Sequence, residues 1–229
     1  QSYFNPYVYV PFYLLARSGL PALLATSILA IIQSGVLWLT YEIAVVVAAS
    51  DSPERRIALG VCAVALAFAN PILIAELGSS YSDVITAELV LAGWLLLARA
   101  VGSPGTASIV CAGLLLGAAS ALKPTNSVHA LSAFVLLLFL PATRRAGMRY
   151  AALCVLAFCV GLLLVAAPWA IRLQQHFGNP LFPLLNGVFH SPHYSTAATL
   201  DYRFIPDSLA DALWRPFAIV APVGIVDNE

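Results

Sequence analysis

Six apolar stretches, separated by short polar segments, dominate the pattern of the chain. They cover residues 20–49, 57–76, 83–99, 107–122, 127–140 and 150–171. A helix needs roughly 20 mostly apolar residues to cross about 30 Å of hydrocarbon. The pattern therefore predicts an all-α fold, a polytopic transmembrane helical bundle of about six spans with the start of a seventh from Phe217. The short fourth and fifth stretches are predicted to form a helical hairpin.

The distribution of positive charge predicts how this bundle is oriented. Loops rich in Lys and Arg stay on the cytoplasmic side of a membrane. The alternate loops, which lie between the second and third spans, between the fourth and fifth, and after residue 172, are therefore expected on the outer face. Basic residues occupy every second loop: Arg55 and Arg56, then Arg99, then Arg144, Arg145 and Arg149.

Four regions follow from this organisation. Residues 1–19 are interrupted by proline and rich in aromatic residues, which predicts an outer-face juxtamembrane segment. Residues 20–172 form the predicted bundle, and residues 173–206 form an outer-face loop that is long for a helix connection. Residues 207–229 are interpreted as a short helix and the start of a further span. The first residue is Gln1 and the last residues follow an apolar stretch, so we interpret the chain as part of a longer membrane protein.

Composition excludes several classes of protein. Apolar residues make up 61% of the chain and charged residues 10%, with a mean hydropathy of +0.89. Soluble domains carry about 25% charged residues, so a soluble globular enzyme is not expected. Eleven Lys and Arg balance eleven Asp and Glu, and binding to nucleic acid lacks the basic excess that it requires. The expected partner is the lipid bilayer.

The polar residues that lie at the predicted outer face are the main candidates for chemistry. Ionisable residues are costly inside membrane spans and commonly mark functional sites. Carboxylates can accept a proton, and cations can hold a phosphate, so the set indicates group transfer from a membrane-anchored phosphate donor. Taken singly, Asp83 is also compatible with a helix cap and Lys123 with a snorkelling cation. The candidates are Glu76, Tyr81, Asp83, Lys123, Asn126, Arg172 and His176.

The outer loop contributes two further candidates, Asp201 and Arg203, which could bind a sugar or phosphate or pair with each other. His190 and His193 do not predict a zinc site, because the proline between them breaks the helix that would align them. The sequence predicts no metal and no cofactor.

Polar residues also lie deeper in the apolar stretches. Asn70, followed by a proline, is interpreted as a helix kink rather than a ligand site. His129 is interpreted as a hydrogen-bonded core residue. Glu88 is expected to face the bundle, either as a structural group or as part of a site wall.

Several segments together resemble multi-pass glycosyltransferases of the GT-C superfamily, which includes protein O-mannosyltransferases and the aminoarabinose transferases of lipid A. They are Asn5-Pro6 with PFYLL at 11–15, ELGSSYSD at 76–83, LAR at 97–99, ALKPT at 121–125 and GNPLFP at 178–183. The resemblance implies inverting transfer of a sugar from a polyprenyl-phosphate donor to a lipid, glycan or protein acceptor. The reaction is expected on the periplasmic face of the bacterial cytoplasmic membrane, or on the lumenal face of the endoplasmic reticulum.

In that superfamily the first outer loop carries the catalytic acid. Residues 1–19 contain no Asp or Glu, so this acid is expected upstream of Gln1. Glu76 and Asp83 match the second outer loop, and the resemblance implies that Lys123 and Arg172 contact the carrier phosphate.

Two alternatives stay open. A multi-pass transporter would place ionisable groups near the bilayer midplane and would contain broken helices. A polysaccharide polymerase or ligase would share the outer-face cations and the polyprenyl-linked substrate.

Overall fold

The computed structural model describes residues 5–48, 50, 52–101, 105–139, 144–196 and 205–218. Helices account for most of these residues, and no β-strand occurs among them. The all-α prediction is thus confirmed for the described part of the chain.

The helices are numbered in chain order. Two 3-10 turns, Pro6–Tyr9 and Pro124–Asn126, directly precede α1 and α8. Within the described residues the α-helices are α1 Val10–Arg17, α2 Ala22–Gln33, α3 Gly35–Val47, α4 Pro53–Phe68, α5 Pro71–Glu76, α6 Ser82–Ala100, α7 Thr106–Leu122, α8 Ser127–Phe139, α9 Arg144–Phe177, α10 Asn186–Phe189 and α11 Leu209–Ala218.

The second predicted span is divided into two helices. α4 ends at Phe68 and α5 begins at Pro71, because a proline has no N–H for the helical ladder. The side chain of Asn70 accepts a hydrogen bond from the Ile72 backbone N–H at 3.0 Å and so caps α5. The expected kink at Asn70 is therefore a complete break, and α5 is a separate helix of six residues.

The last helix of the bundle is longer than predicted. α9 continues to Phe177, whereas the outer loop was predicted to start at residue 173. His176 consequently belongs to the helix rather than to the loop that follows it. The length of an apolar run reflects the thickness of the hydrocarbon layer, and a helix can continue past the end of that run.

Among the described residues, two stretches are long and apolar enough to cross a membrane, Ala22–Val47 and Ala146–Phe177. Only 22% of the most apolar part of each is buried inside the protein, so most of this apolar surface is exposed, which is typical of a surface that contacts a membrane or another protein. This supports association with a membrane. The other predicted spans give helices that are shorter or, in α6, richer in charge, and the prediction of six spans is not supported by helix length alone.

The closest helix contact joins α7 to α9, which run parallel. A Cβ atom added at Gly117 would lie 2.1 Å from the Phe158 carbonyl oxygen, and one added at Gly161 would lie 2.3 Å from that of Leu114. Gly113, one turn earlier than Gly117, also faces the α9 backbone. Small residues allow helices in apolar surroundings to approach closely and gain van der Waals contact. These three glycines thus fix the separation of α7 and α9.

The remaining helices assemble around this pair. α6 runs antiparallel to α7, with Gly93 against Leu116, which brings the start of α6 beside the end of α7. α3 lies along α6, and the Glu42 carboxylate pairs with Arg99 at 2.5 Å near one end of the two helices. The core between α6, α7, α8 and α9 contains Leu97, Ile109, Leu116, Ala133, Leu137 and Cys154.

Buried Asn5 attaches the N-terminal segment to the bundle, at the end opposite the Glu42–Arg99 ion pair. The Asn5 amide donates to the carbonyl oxygens of Val165 at 3.0 Å and Ala121 at 3.4 Å. Its oxygen accepts from the Tyr7 backbone N–H at 3.1 Å. The first described residues are thereby attached to α7 and α9 at the same level.

We predict that Gly117→Ala destabilises the protein strongly. The new methyl group would collide with the α9 backbone, which cannot move aside as a flexible side chain can, and overpacking typically costs about 1–3 kcal/mol. The thermal unfolding midpoint in detergent should fall. Gly105→Ala is the matched control, since the nearest atom to its new Cβ is Ser108 Oγ at 3.6 Å. An unchanged midpoint for Gly117→Ala would contradict the close α7–α9 contact.

Candidate functional site

The candidate site forms where α6 begins and α7 ends. Because these helices are antiparallel, Asp83 in the first turn of α6 faces Lys123, the residue that follows α7. The Lys123 ammonium donates a hydrogen bond to Oδ1 of Asp83 and forms an ion pair with it. The two side chains are 32% and 49% exposed, respectively, so the pair remains accessible to a ligand.

The ion pair lies in a cleft of about 410 Å³ between α3, α5, α6 and the α7–α8 hairpin. Four residues that the sequence analysis predicted as site residues line this cleft together: Glu76, Asp83, Lys123 and Asn126. Asn70, Thr86, Thr125 and His129 add further polar groups to its wall.

The hairpin turn is held by hydrogen bonds to the last turn of α7. The Lys123 backbone N–H and the Asn126 side-chain amide both donate to the Ala119 carbonyl oxygen, at 2.9 Å and 3.2 Å. Pro124 begins the short 3-10 turn that leads into α8. The position of Lys123 is therefore determined by the backbone of α7 and by the Asn126 amide.

Glu76 has the clearest electrostatic perturbation in the cleft. It ends the short helix α5, beyond the break that terminates α4. Partial burial raises the pKa of Glu76 above its usual value, and the Asp83 carboxylate raises it further, whereas Lys123 lowers it. Two carboxylates and one ammonium thus form a coupled group.

A second pocket adjoins the cleft on the other side of Lys123. It has a volume of about 350 Å³ and is mostly apolar. Lys123 and Thr125 line both spaces, so one cation has a polar cleft on one side and an apolar pocket on the other. The apolar part is formed by Val8, Tyr9, Leu122, Pro124 and Leu184.

Arg172 and His176 are not among the described residues that line the cleft. Asn5 places Val165 of α9 level with Ala121 of α7, and α9 continues for twelve residues past Val165 to Phe177. At 1.5 Å per residue, Arg172 lies about 10 Å further along the helix. The extension of α9 therefore carries both residues past the level of Ala121.

Of the three remaining predicted residues, only Tyr81 lies among the described residues, and it does not line the cleft. Tyr81 is 64% exposed and directly precedes α6, where its backbone N–H donates to the Ser79 hydroxyl at 3.2 Å. Asp201 and Arg203 lie outside the described residues.

His129 is a cleft residue that the sequence analysis interpreted differently. It is exposed and lines the cleft, whereas a hydrogen-bonded core position was expected. A signal for this placement was present in the spacing, because His129 follows Asn126 by three residues and such pairs share one face of a helix. Within the described ranges, no three His, Cys, Asp or Glu residues come together in a group that could hold a metal ion.

Comparison of the chain with protein-family models, with curated proteins and with solved structures gave no match.

We predict that the pKa of Glu76 responds in opposite directions to its two charged neighbours. Asp83→Asn removes a repelling carboxylate and should lower the pKa, whereas Lys123→Met removes a stabilising cation and should raise it. A pH titration of the carboxyl infrared bands would measure both shifts, with Glu76→Gln as the reference spectrum that identifies the Glu76 band. Equal pKa values in the wild type and both variants would show that the three groups are not coupled.

Proposed function

We propose that this chain is part of a multi-pass membrane glycosyltransferase that moves a sugar from a polyprenyl-phosphate donor to an acceptor on the outer face. The observation that carries this proposal is the position of Lys123. Its ammonium pairs with Asp83 in a cleft that also contains Glu76, and it borders an apolar pocket. The resemblance to GT-C enzymes in the sequence favours the same function.

The paired cation suits a phosphate that is attached to a lipid. A phosphate oxygen can replace the Asp83 carboxylate as the partner of Lys123, because charge-assisted hydrogen bonds to either group are strong. The apolar pocket beside Lys123 then receives the adjoining part of the hydrocarbon chain, while the sugar occupies the polar cleft. Asn126, Thr125 and His129 provide hydrogen-bonding groups around that sugar.

The proposed reaction is a single displacement at the anomeric carbon of the sugar. A carboxylate of the cleft accepts the proton of the acceptor hydroxyl, whose oxygen bonds to the anomeric carbon as the bond from that carbon to the phosphate oxygen breaks. The bonding electrons leave with the phosphate, and Lys123 stabilises the negative charge that develops there. Glu76 suits the role of base, since a raised pKa makes a carboxylate a better proton acceptor. A further acid from the rest of the protein, as the resemblance implies, would complete the site.

The proposed environment is a membrane crossed about six times, most simply the bacterial cytoplasmic membrane. The exposed apolar side chains of Ala22–Val47 and Ala146–Phe177 support this environment. Short helices such as α7 and α8 fit into such a membrane if the hairpin turn between them lies in a water-filled cleft, because irregular backbone is tolerated there.

We predict that Glu76→Gln and Lys123→Ala lower sugar transfer by about a hundredfold or more, because they remove the proposed base and the cation that stabilises the leaving phosphate. Transfer from radiolabelled polyprenyl-phosphate sugars would be measured in membranes that contain the full-length protein. Glu42→Gln is the matched control, because it breaks the ion pair with Arg99 away from the cleft. Normal transfer by both cleft variants, inserted at wild-type levels, would refute the proposed site.

The apolar pocket gives an independent prediction. Leu184→Asp places a charge against the proposed lipid chain and should raise KM for the long-chain donor, with little change in kcat. A water-soluble donor with a short chain would not occupy the pocket, and its KM should stay the same. An equal increase in KM for both donors would show that Leu184 acts through the fold rather than through the lipid.

A transporter is the second candidate, and a broken helix favours it. α4 and α5 are interrupted at Asn70, and Asn70 lines the cleft. Interrupted helices commonly surround transport sites. Solute uptake by membranes that transfer no sugar from any lipid donor would favour this function, whereas a transfer product that grows by repeated units would identify a polymerase.

A further inference from the structure

A buried amide in the first apolar stretch holds the loop that carries the two carboxylates. Gln33, the last residue of α2, is fully buried. Its Oε1 accepts a hydrogen bond from the Gly78 backbone N–H at 2.6 Å, and its Nε2 donates to the Ser79 carbonyl oxygen at 3.1 Å. Burying an amide is costly unless it is hydrogen-bonded, and here both ends of the amide are satisfied by one loop.

This loop connects the two acidic residues of the cleft. Glu76 ends α5, Asp83 lies in the first turn of α6, and the residues between them pass over α2. Gly78 has a positive φ of 79°, and a Cβ at this position would lie 3.1 Å from the Thr26 carbonyl oxygen of α2. The loop therefore lies directly against the helix from which Gln33 reaches it.

The bend after Gln33 also touches α6. α2 and α3 are separated at Ser34, and a Cβ added at Gly35 would lie 2.8 Å from Oε1 of Glu88. Glu88 follows Asp83 by five residues on the same helix. The bend thus contacts both the loop before α6 and the first part of α6 itself.

We propose that Gln33 is a positioning residue for the cleft: through the backbone of Gly78 and Ser79, it sets where Glu76 and Asp83 stand relative to Lys123. The proposal rests on the proposed function, because positioning matters only if these carboxylates act on a substrate. Lys123 and the apolar pocket depend on α7 and its hairpin turn, which Gln33 does not contact through these hydrogen bonds. Loss of the amide should therefore move the carboxylates and leave the phosphate-binding cation in place.

The test uses Gln33→Leu in the full-length protein, with Ser34→Ala as the matched control. Leu has a similar size but makes no hydrogen bond, whereas the exposed Ser34 hydroxyl donates only to the Ile31 carbonyl oxygen of its own helix. Hydrogen–deuterium exchange of residues 77–82 should become faster in Gln33→Leu and stay unchanged in Ser34→Ala. Sugar transfer by Gln33→Leu should show a kcat lowered by about ten- to hundredfold, the range for a misplaced catalytic group, with an unchanged KM for the donor.

Gln33→Glu keeps an oxygen acceptor for the Gly78 N–H and loses the donor to Ser79, so it should recover part of the exchange protection and part of kcat. This variant also decides the question if Gln33→Leu does not fold. Unchanged hydrogen–deuterium exchange of residues 77–82 in Gln33→Leu would overturn the positioning role, whether or not kcat falls. Because exchange is measured without substrate, a wild type that transfers no sugar would refute the proposed function, while faster exchange in Gln33→Leu would still demonstrate the contact.

Discussion

The contact between the backbones of α7 and α9 determines where every other part of the cleft stands. Gly113, Gly117 and Gly161 let these helices approach until carbonyl groups of one lie against the glycines of the other. The van der Waals energy of each atom pair in such a contact is small, but it adds up along two helices. This attraction also acts between helices in lipid, where the hydrophobic effect does not drive association. Lys123 directly follows α7, so this close helix contact also fixes the position of a cation. α6 then packs antiparallel on α7 and brings Asp83 to it.

Two ion pairs in the described part of the chain join neighbouring helices. Glu42 pairs with Arg99 at one end of α3 and α6, and Asp83 pairs with Lys123 at the other end of α6. Exposed ion pairs contribute little to stability, typically about 0–1 kcal/mol. Their arrangement is therefore better explained by the cost of an unpaired charge near a low-dielectric region than by any gain in folding energy. Of these two pairs, the pair at Lys123 borders a cleft that also contains a second carboxylate, Glu76. This pair is therefore the better candidate for a chemical role.

The sequence was sufficient for the helices and for part of the site, and the limits have physical causes. Apolar runs predicted the helices of the bundle, but they predicted neither α1 nor α10 nor the length of α9, because the last turns of α9 extend past the apolar run that marks the predicted span. Clustering of polar residues at one face predicted that Glu76, Asp83, Lys123 and Asn126 would lie near one another. The role of Gln33 could not be predicted, because its hydrogen-bond partner Gly78 is 45 residues away in the sequence. A single glutamine in an apolar run belongs to no repeating pattern that would identify such a partner.

The pairing of Lys123 with Asp83 also has a consequence for how a ligand reaches the cleft. A cation that is already neutralised by a neighbour projects little field beyond a few ångströms in salt solution, so dissolved anions gain no long-range attraction toward it. An anion anchored in the bilayer does not need that attraction, because confinement to the membrane plane supplies a high effective concentration at the rim. Under the proposed function, discrimination between soluble and lipid-linked anions thus depends on the route by which each anion reaches Lys123.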